Sequence, residues 1–263
     1  MSRRWLKLLP LAALALASAA STLFDGEPPG RLHPQLSWCP PSWARPFGCG
    51  EAGVDLLALV SAAERSALLL AVVVGLVGFT AGTALGAAAA LFRGRVERLV
   101  ERACDLVQSF PTFIMALAVL SAVHTPSRIY IGFVFAVTAW APFARLSLAQ
   151  TRSLRTALFV EAASALGRSP TGVFLRHIVP NLLGVAAVQL GSTAAAVVVG
   201  EASLAFVGLG PPNGVSLGAV LDQGVSAMLR APHVLLVGAL SVFATSGVLL
   251  IAGRVFHLAP TSR

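Results

Sequence analysis

Charge is scarce in this chain: 11% of its 263 residues are Asp, Glu, Lys or Arg, against 56% hydrophobic ones. A soluble domain carries about a quarter charged residues, so most of this chain lies in apolar surroundings. Lysine is nearly absent. Eighteen of the 19 basic residues are arginine, and the one lysine, Lys7, stands in Trp-Leu-Lys-Leu. A phosphate-binding P-loop needs Lys after its second glycine, so the chain carries no standard P-loop and any ATP hydrolysis belongs to a partner. Cysteine is limited to Cys39, Cys49 and Cys104, with no Cys/His cluster at metal-site spacing. No catalytic, cofactor or metal residues are expected. Cys39 and Cys49 share one loop, where a disulfide and two unpaired thiols are equally compatible with the spacing.

Long apolar runs are what the chain does have. Six can be read: about Leu8 to Phe24, Ser66 to Phe92, Leu106 to Val123, Ile129 to Ala144, Leu182 to Gly200 and Val234 to Ala252. Runs of this length read as membrane helices. The expected fold is an all-α polytopic membrane protein. Residues 1–65 form an N-terminal transmembrane helix and an outer loop; residues 66–263 form the core, with a long loop at 153–181. The first run, followed by Ala17-Ser18-Ala19, also resembles a cleavable signal peptide.

The net charge of +8 is spread over the gaps between the runs rather than gathered in one patch. That pattern speaks for membrane topology and against nucleic acid. Fourteen basic residues fall in the two termini and the 93–104 and 145–181 gaps; five fall in the others. The positive-inside rule puts both termini and the 145–181 loop in the cytoplasm. Gly78, Gly82 and Gly86 repeat every four residues and line one helix face, which suits close helix packing. The general glycine richness of membrane helices fits the same residues.

The 145–181 gap has helical logic. Leu154 to Leu166 are mostly good helix formers, Gly167 supplies a stop, and Ser169-Pro170 starts a second short helix. That helix is expected to run to about Ile178 and to end at Pro180. Glu161 has no basic residue three or four positions away, so it lacks an intrahelical ion pair. Ala162 and Ala163 beside it allow close approach. Arg168 and Arg176 can donate to carboxylates or lipid phosphates. On these grounds a solvated amphipathic loop at the lipid headgroups and a docking loop stand level. Glu201, at the outer end of the fifth run, is ionisable at membrane depth and marks a functional site. Gly208, Gly210, Pro211 and Pro212 then break any helix.

Glu161-Ala162-Ala163, Gly167 and Ile178-Val179-Pro180 resemble the EAA motif of permease subunits of ATP-binding-cassette (ABC) importers. Arg176-His177 and Asn181 narrow the likeness to the dipeptide, oligopeptide and nickel family, in its second-permease branch. The run Glu201-Ala202-Ser203-Leu204-Ala205-Phe206-Val207-Gly208-Leu209-Gly210 is similar to that family's Glu-Ala-Ser-Leu block. Pro46-Phe47-Gly48, Asp55-Leu56-Leu57, Asp105 and Pro111 add to it. The resemblance covers about residues 46 to 257.

It implies a type I importer permease fold in a bacterial inner membrane, importing a solute such as a peptide or nickel by alternating access. Implied partners are two ATPase subunits, a second homologous permease, an extracytoplasmic solute-binding protein and membrane lipid. Glu161, Ala162, Ala163 and Gly167 would contact the ATPase, with Arg176, His177, Pro180 and Asn181 setting the bend into the membrane. Glu201, Ser203 and Phe206 would serve the gate or pathway. Three departures, Cys49-Gly50, Gly53-Val54-Asp55 and Leu217-Gly218, fall outside the cytoplasm by this topology. An ion-coupled transporter and a membrane scaffold that recruits a soluble partner are the competing classes.

Overall fold

The computed structural model describes residue 28 and residues 31–123, 126–211 and 215–257. The expected first span, Leu8 to Phe24, lies outside them. Every named element is helical: α1 Leu56–Phe92, α2 Gly94–Ser109, α3 Thr112–Ser121, α4 Arg128–Leu154, α5 Leu158–Ala165, α6 Phe174–Leu209, α7 Leu217–Ser226 and α8 Pro232–His257. Helices α1, α4, α6 and α8 are long and apolar enough to cross a membrane. The consecutive pair α2 and α3 makes a fifth crossing only if counted as one span, because it bends by 67° at Phe110-Pro111.

The third run, expected to be one helix from Leu106 to Val123, is therefore broken. Pro111 disfavours a helical conformation at Phe110 before it, and Phe110 is extended with ψ 125°. The second span begins ten residues earlier than its uncharged run. Asp55 caps it by accepting hydrogen bonds from the backbone N–H of Leu57 (2.8 Å) and Ala58 (3.4 Å), satisfying donors that a helix start leaves open.

Small residues set the packing. A Cβ on Gly82 would strike the carbonyl of Trp140, and one on Gly86 the carbonyl of Ala144; on Gly78 it would stand 2.9 Å from the Ala139 oxygen. All three glycines thus face α4 and let two backbones touch, the contact that holds helices together where lipid supplies no hydrophobic drive. Gly191 and Gly253 do the same between α6 and α8, their Cα region within 3 Å of an added Cβ. The outward faces carry Leu69, Val72, Leu76, Leu236, Leu240 and Phe243, all exposed. Apolar side chains turned outward on long helices are what lipid contact requires.

The main core joins the first half of α1, the first half of α4 and the second half of α6 with α3, α7 and α8 through residues that include Leu59, Val74, Leu120, Ile131, Val198, Val220 and Val234. A separate, smaller cluster (Ala87, Val160, Ala163, Val173, Ile178, Leu182) seats α5 at the opposite end.

Candidate functional site

At that opposite end, α4 runs to Leu154, and Arg155 donates to the Ala90 carbonyl of α1. This bond ties the loop's start to the bundle. On α5, Val160 and Ala163 point inward onto Ala87, while Leu158, Glu161, Ala162 and Ala165 share the exposed side, as a period of 100° per residue dictates. Ala163, expected at a partner contact, is instead part of the seat that holds α5. Gly167 ends the helix with φ +78°, a left-handed conformation that glycine adopts without strain. An added Cβ there would meet nothing within 4 Å, so Gly167 is required by the backbone and not by crowding. Leu166 beside it is 88% exposed.

Ser169 caps the next turn, its hydroxyl accepting from Gly172 N–H at 3.2 Å. The single turn Pro170–Val173 then runs into a π turn, Phe174–Ile178, and on into regular helix. This corrects the reading of Pro180 as a helix end. Pro180 occupies one of the first two positions of the regular segment Val179–Leu204, directly after the π turn. Asn181 donates to the His177 carbonyl at 2.6 Å, and His177 lies beside the Phe159 ring, centroids 6.3 Å apart. Arg176 is exposed. Together these residues make one continuous α6 with α5 folded back against its start.

At the other end of α6, Glu201 is 2% exposed. Its Oε1 accepts from Arg128 Nε at 3.1 Å, and Arg128 Nη2 also donates to the Val215 carbonyl. The first residue of α4, the last turns of α6 and the segment leading into α7 are thereby tied at one point. Gly208 breaks the helix with φ +86°, and Gly218 of α7 sits against the Ala202 carbonyl with no room for a Cβ. Ser203 turns back, its Oγ donating to the Val199 carbonyl at 2.8 Å, and Phe206 is exposed.

A groove of about 820 Å³ runs along α3, α4 and α6. Thr112, Thr138, Gln189, Thr193 and Ser203 give it polar groups, and no ionisable residue lines it. A second groove of about 770 Å³, between α1, α6 and α8, is walled mainly by Gly184, Ala187, Gly191, Ala252 and other apolar residues.

One feature escaped sequence reasoning, and a second was left open by it. Glu64 is 5% exposed in α1 and its Oε1 accepts from Thr245 of α8 at 3.3 Å. It stands just ahead of the uncharged run; the Asp55 cap was the signal that the helix starts earlier and carries Glu64 inside. The second feature is the Cys39–Cys49 disulfide, which closes the loop ahead of α1. Arg45 braces it by donating to the Gly53 carbonyl at 3.1 Å, and Arg230 lies 4.6 Å over the Trp38 ring. Among the described residues no group of three or more His, Cys, Asp or Glu could hold a metal ion.

Lipid-exposed helices packed through glycine, an uncharged groove and a basic loop folded back under the bundle define a polytopic transport component of a membrane. Residues 82–257 match the family described as "Binding-protein-dependent transport system inner membrane component", and the chain belongs to that family. It is an inner-membrane permease component, and the ATP hydrolysis that drives such systems lies in partner subunits. The chain is similar to the glutathione transport system permease protein GsiD of Pectobacterium atrosepticum, 30% identical over 206 residues, 78% of this chain and 68% of the relative. It is similar to the oligopeptide transport system permease protein OppC of Haemophilus influenzae, 31% identical over 191 residues, 72% of this chain and 61% of the relative. With OppC of Escherichia coli K12 the identity is 33% over 191 residues, 72% and 63% of the two chains. The chain thus spans about two thirds of the length of these relatives.

Proposed function

We propose that this chain pairs with a second homologous permease to carry small peptides, and that α5 is the lever on which two ATPase subunits act. The observation that carries the reading is the division of α5 into two faces. Val160 and Ala163 anchor it to α1, while Leu158, Glu161, Ala162 and Leu166 stand free. A helix seated rigidly on one side and exposing apolar and acidic groups on the other suits a partner's cleft. The unusual exposure of Leu166 and Leu158 is relieved when such a cleft covers them.

The peptide assignment draws on the named substrates of the relatives and on the uncharged groove. Hydroxyls and one amide along it can hydrogen-bond a peptide backbone without selecting its charge. The second permease would face this groove and complete the path. Both termini and α5 are assigned to the cytoplasm by the arginine distribution, which puts the disulfide loop and α7 outside, under the solute-binding protein. The Arg128–Glu201–Val215 tie then braces the outer gate, with ATP binding at α5 transmitted along α6 to Glu201. The permease makes and breaks no covalent bond.

The test uses the assembled importer in proteoliposomes. Glu161→Ala is expected to lower substrate-stimulated ATP hydrolysis while the chain inserts and assembles normally. Unaltered coupling in that variant would refute the docking role of α5.

A further inference from the structure

Helix α2 has a surface that the transport reading does not use. Placed at 100° per residue, Glu97, Glu101 and Asp105 fall on one side. All three carboxylates are taken up by α4. Arg152 donates to Glu97 (Nε, 2.8 Å) and Glu101 (Nη2, 2.7 Å), and Arg145 pairs with Asp105. An adjoining side is packed, with Cys104 buried against Ala141 and Ala144, and Val100 against Ala89, Ala90 and Leu148.

What remains outward is Arg95, Arg98 and Arg102 beside Leu99 and Leu106, the two leucines 69% and 66% exposed. No carboxylate of the described residues lies within ion-pair distance of these three arginines. Arg98 makes one local bond, Nε to the Gly94 carbonyl at 3.2 Å. The three carboxylates are therefore engaged internally by two arginines of α4, and the outward face of α2 is cationic and apolar at once.

The helix is also placed at a boundary. It follows directly on the end of α1, where Phe92 is exposed, and ends at exposed Phe110. The 67° bend at Pro111 lays α2 closer to perpendicular than to parallel with α3. Along α4, α2 runs in antiparallel register from Arg152, which holds Glu97 and Glu101, to Arg145, which holds Asp105, so Arg95, Arg98 and Arg102 stand beside the end of α4 that leads into α5, the end the arginine distribution sets at the headgroups. Water would leave Leu99 and Leu106 unsatisfied, and a purely acidic partner would meet only the arginines. A surface of phosphate above hydrocarbon meets both.

We propose that the outward face of α2 binds anionic phospholipid headgroups, with Arg95, Arg98 and Arg102 on the phosphates and Leu99 and Leu106 in the acyl boundary. Guanidinium groups bind phosphate in a fixed fork, and each arginine near an anionic surface contributes roughly fivefold in binding.

The experiment measures bound lipid on the purified chain by native mass spectrometry, in micelles holding equal phosphatidylglycerol and phosphatidylcholine. Phosphatidylglycerol should be retained in preference, and the preference should fall about a hundredfold in the R95Q/R98Q/R102Q chain. Equal retention of both lipids, or an unchanged preference in that variant, overturns the proposal. A probe attached at Leu99→Cys in a Cys104→Ala background gives an independent readout in phosphatidylglycerol vesicles. Quenching by a lipid-borne quencher is expected with the permease alone. A probe exposed to water until ATPase is added would assign this face to protein instead, whether or not α5 couples to the same ATPase.

Discussion

The two ends of the molecule are held by different means. At the end bearing Cys39 and Cys49, a disulfide, the Arg128–Glu201 pair, the Glu64–Thr245 hydrogen bond and Arg230 over Trp38 join segments from every part of the chain. At the α5 end, six small or medium side chains and one arginine hold the loop, and its outer face is bare. These ties fasten the first end at several points, most of them between segments far apart in the chain. The second end is a seat with a free upper surface, the arrangement expected of a part completed by another protein.

Substitutions at the two ends should therefore differ in kind. The largest stability loss is expected from Arg128→Ala, which leaves Glu201 buried without its cation, a change that costs roughly 3 kcal/mol. The double variant Arg128→Met with Glu201→Leu should recover most of it, read as thermal unfolding of the purified chain in detergent. A double variant no better than the single one would mean that the Val215 bond, and not the charge pair, is the tie. Next is Cys39→Ser with Cys49→Ser. Opening a loop of ten residues' separation should cost about 2.5 kcal/mol by loop entropy, seen as faster proteolysis of the 31–55 segment.

At the α5 end the effects on stability shrink while those on function grow. Gly167→Ala forces a side chain into a left-handed conformation at a cost of about 1 kcal/mol. It should shift the melting of the purified chain by only a degree or two and lower transport more than stability. Glu161→Ala should change stability by less than about 0.5 kcal/mol, as exposed substitutions do, while uncoupling ATP hydrolysis from uptake. A large unfolding effect of Glu161→Ala would erase the contrast between the two ends.

How far this was legible in the sequence depends on the range of the interaction concerned. The spans were legible because hydropathy is a sum over neighbouring residues, and so were the stop at Gly167 and the start at Ser169-Pro170. The broken third span was missed although Pro111 was in view, because hydropathy is blind to backbone direction. Pro180 was misplaced for the opposite reason. Proline signals a boundary, but only the preceding π turn makes that boundary a continuation of α6 rather than an end. For Glu161 the sequence showed that it had no partner on its own helix, and the structure added which of its neighbours share its face. Ala163 turned inward because the seat on Ala87 lies there.

By itself the sequence determined a helical membrane chain, its basic loops and the motifs that carry its family, since all of these rest on residue types at fixed local spacing. Tertiary structure alone decided that Glu201 meets an arginine 73 residues away, that Glu64 is enclosed, and that the acidic side of α2 is spent on α4. A charge in apolar surroundings must find a partner wherever the fold brings one. That choice depends on the packing of whole helices, which no local pattern of residues records.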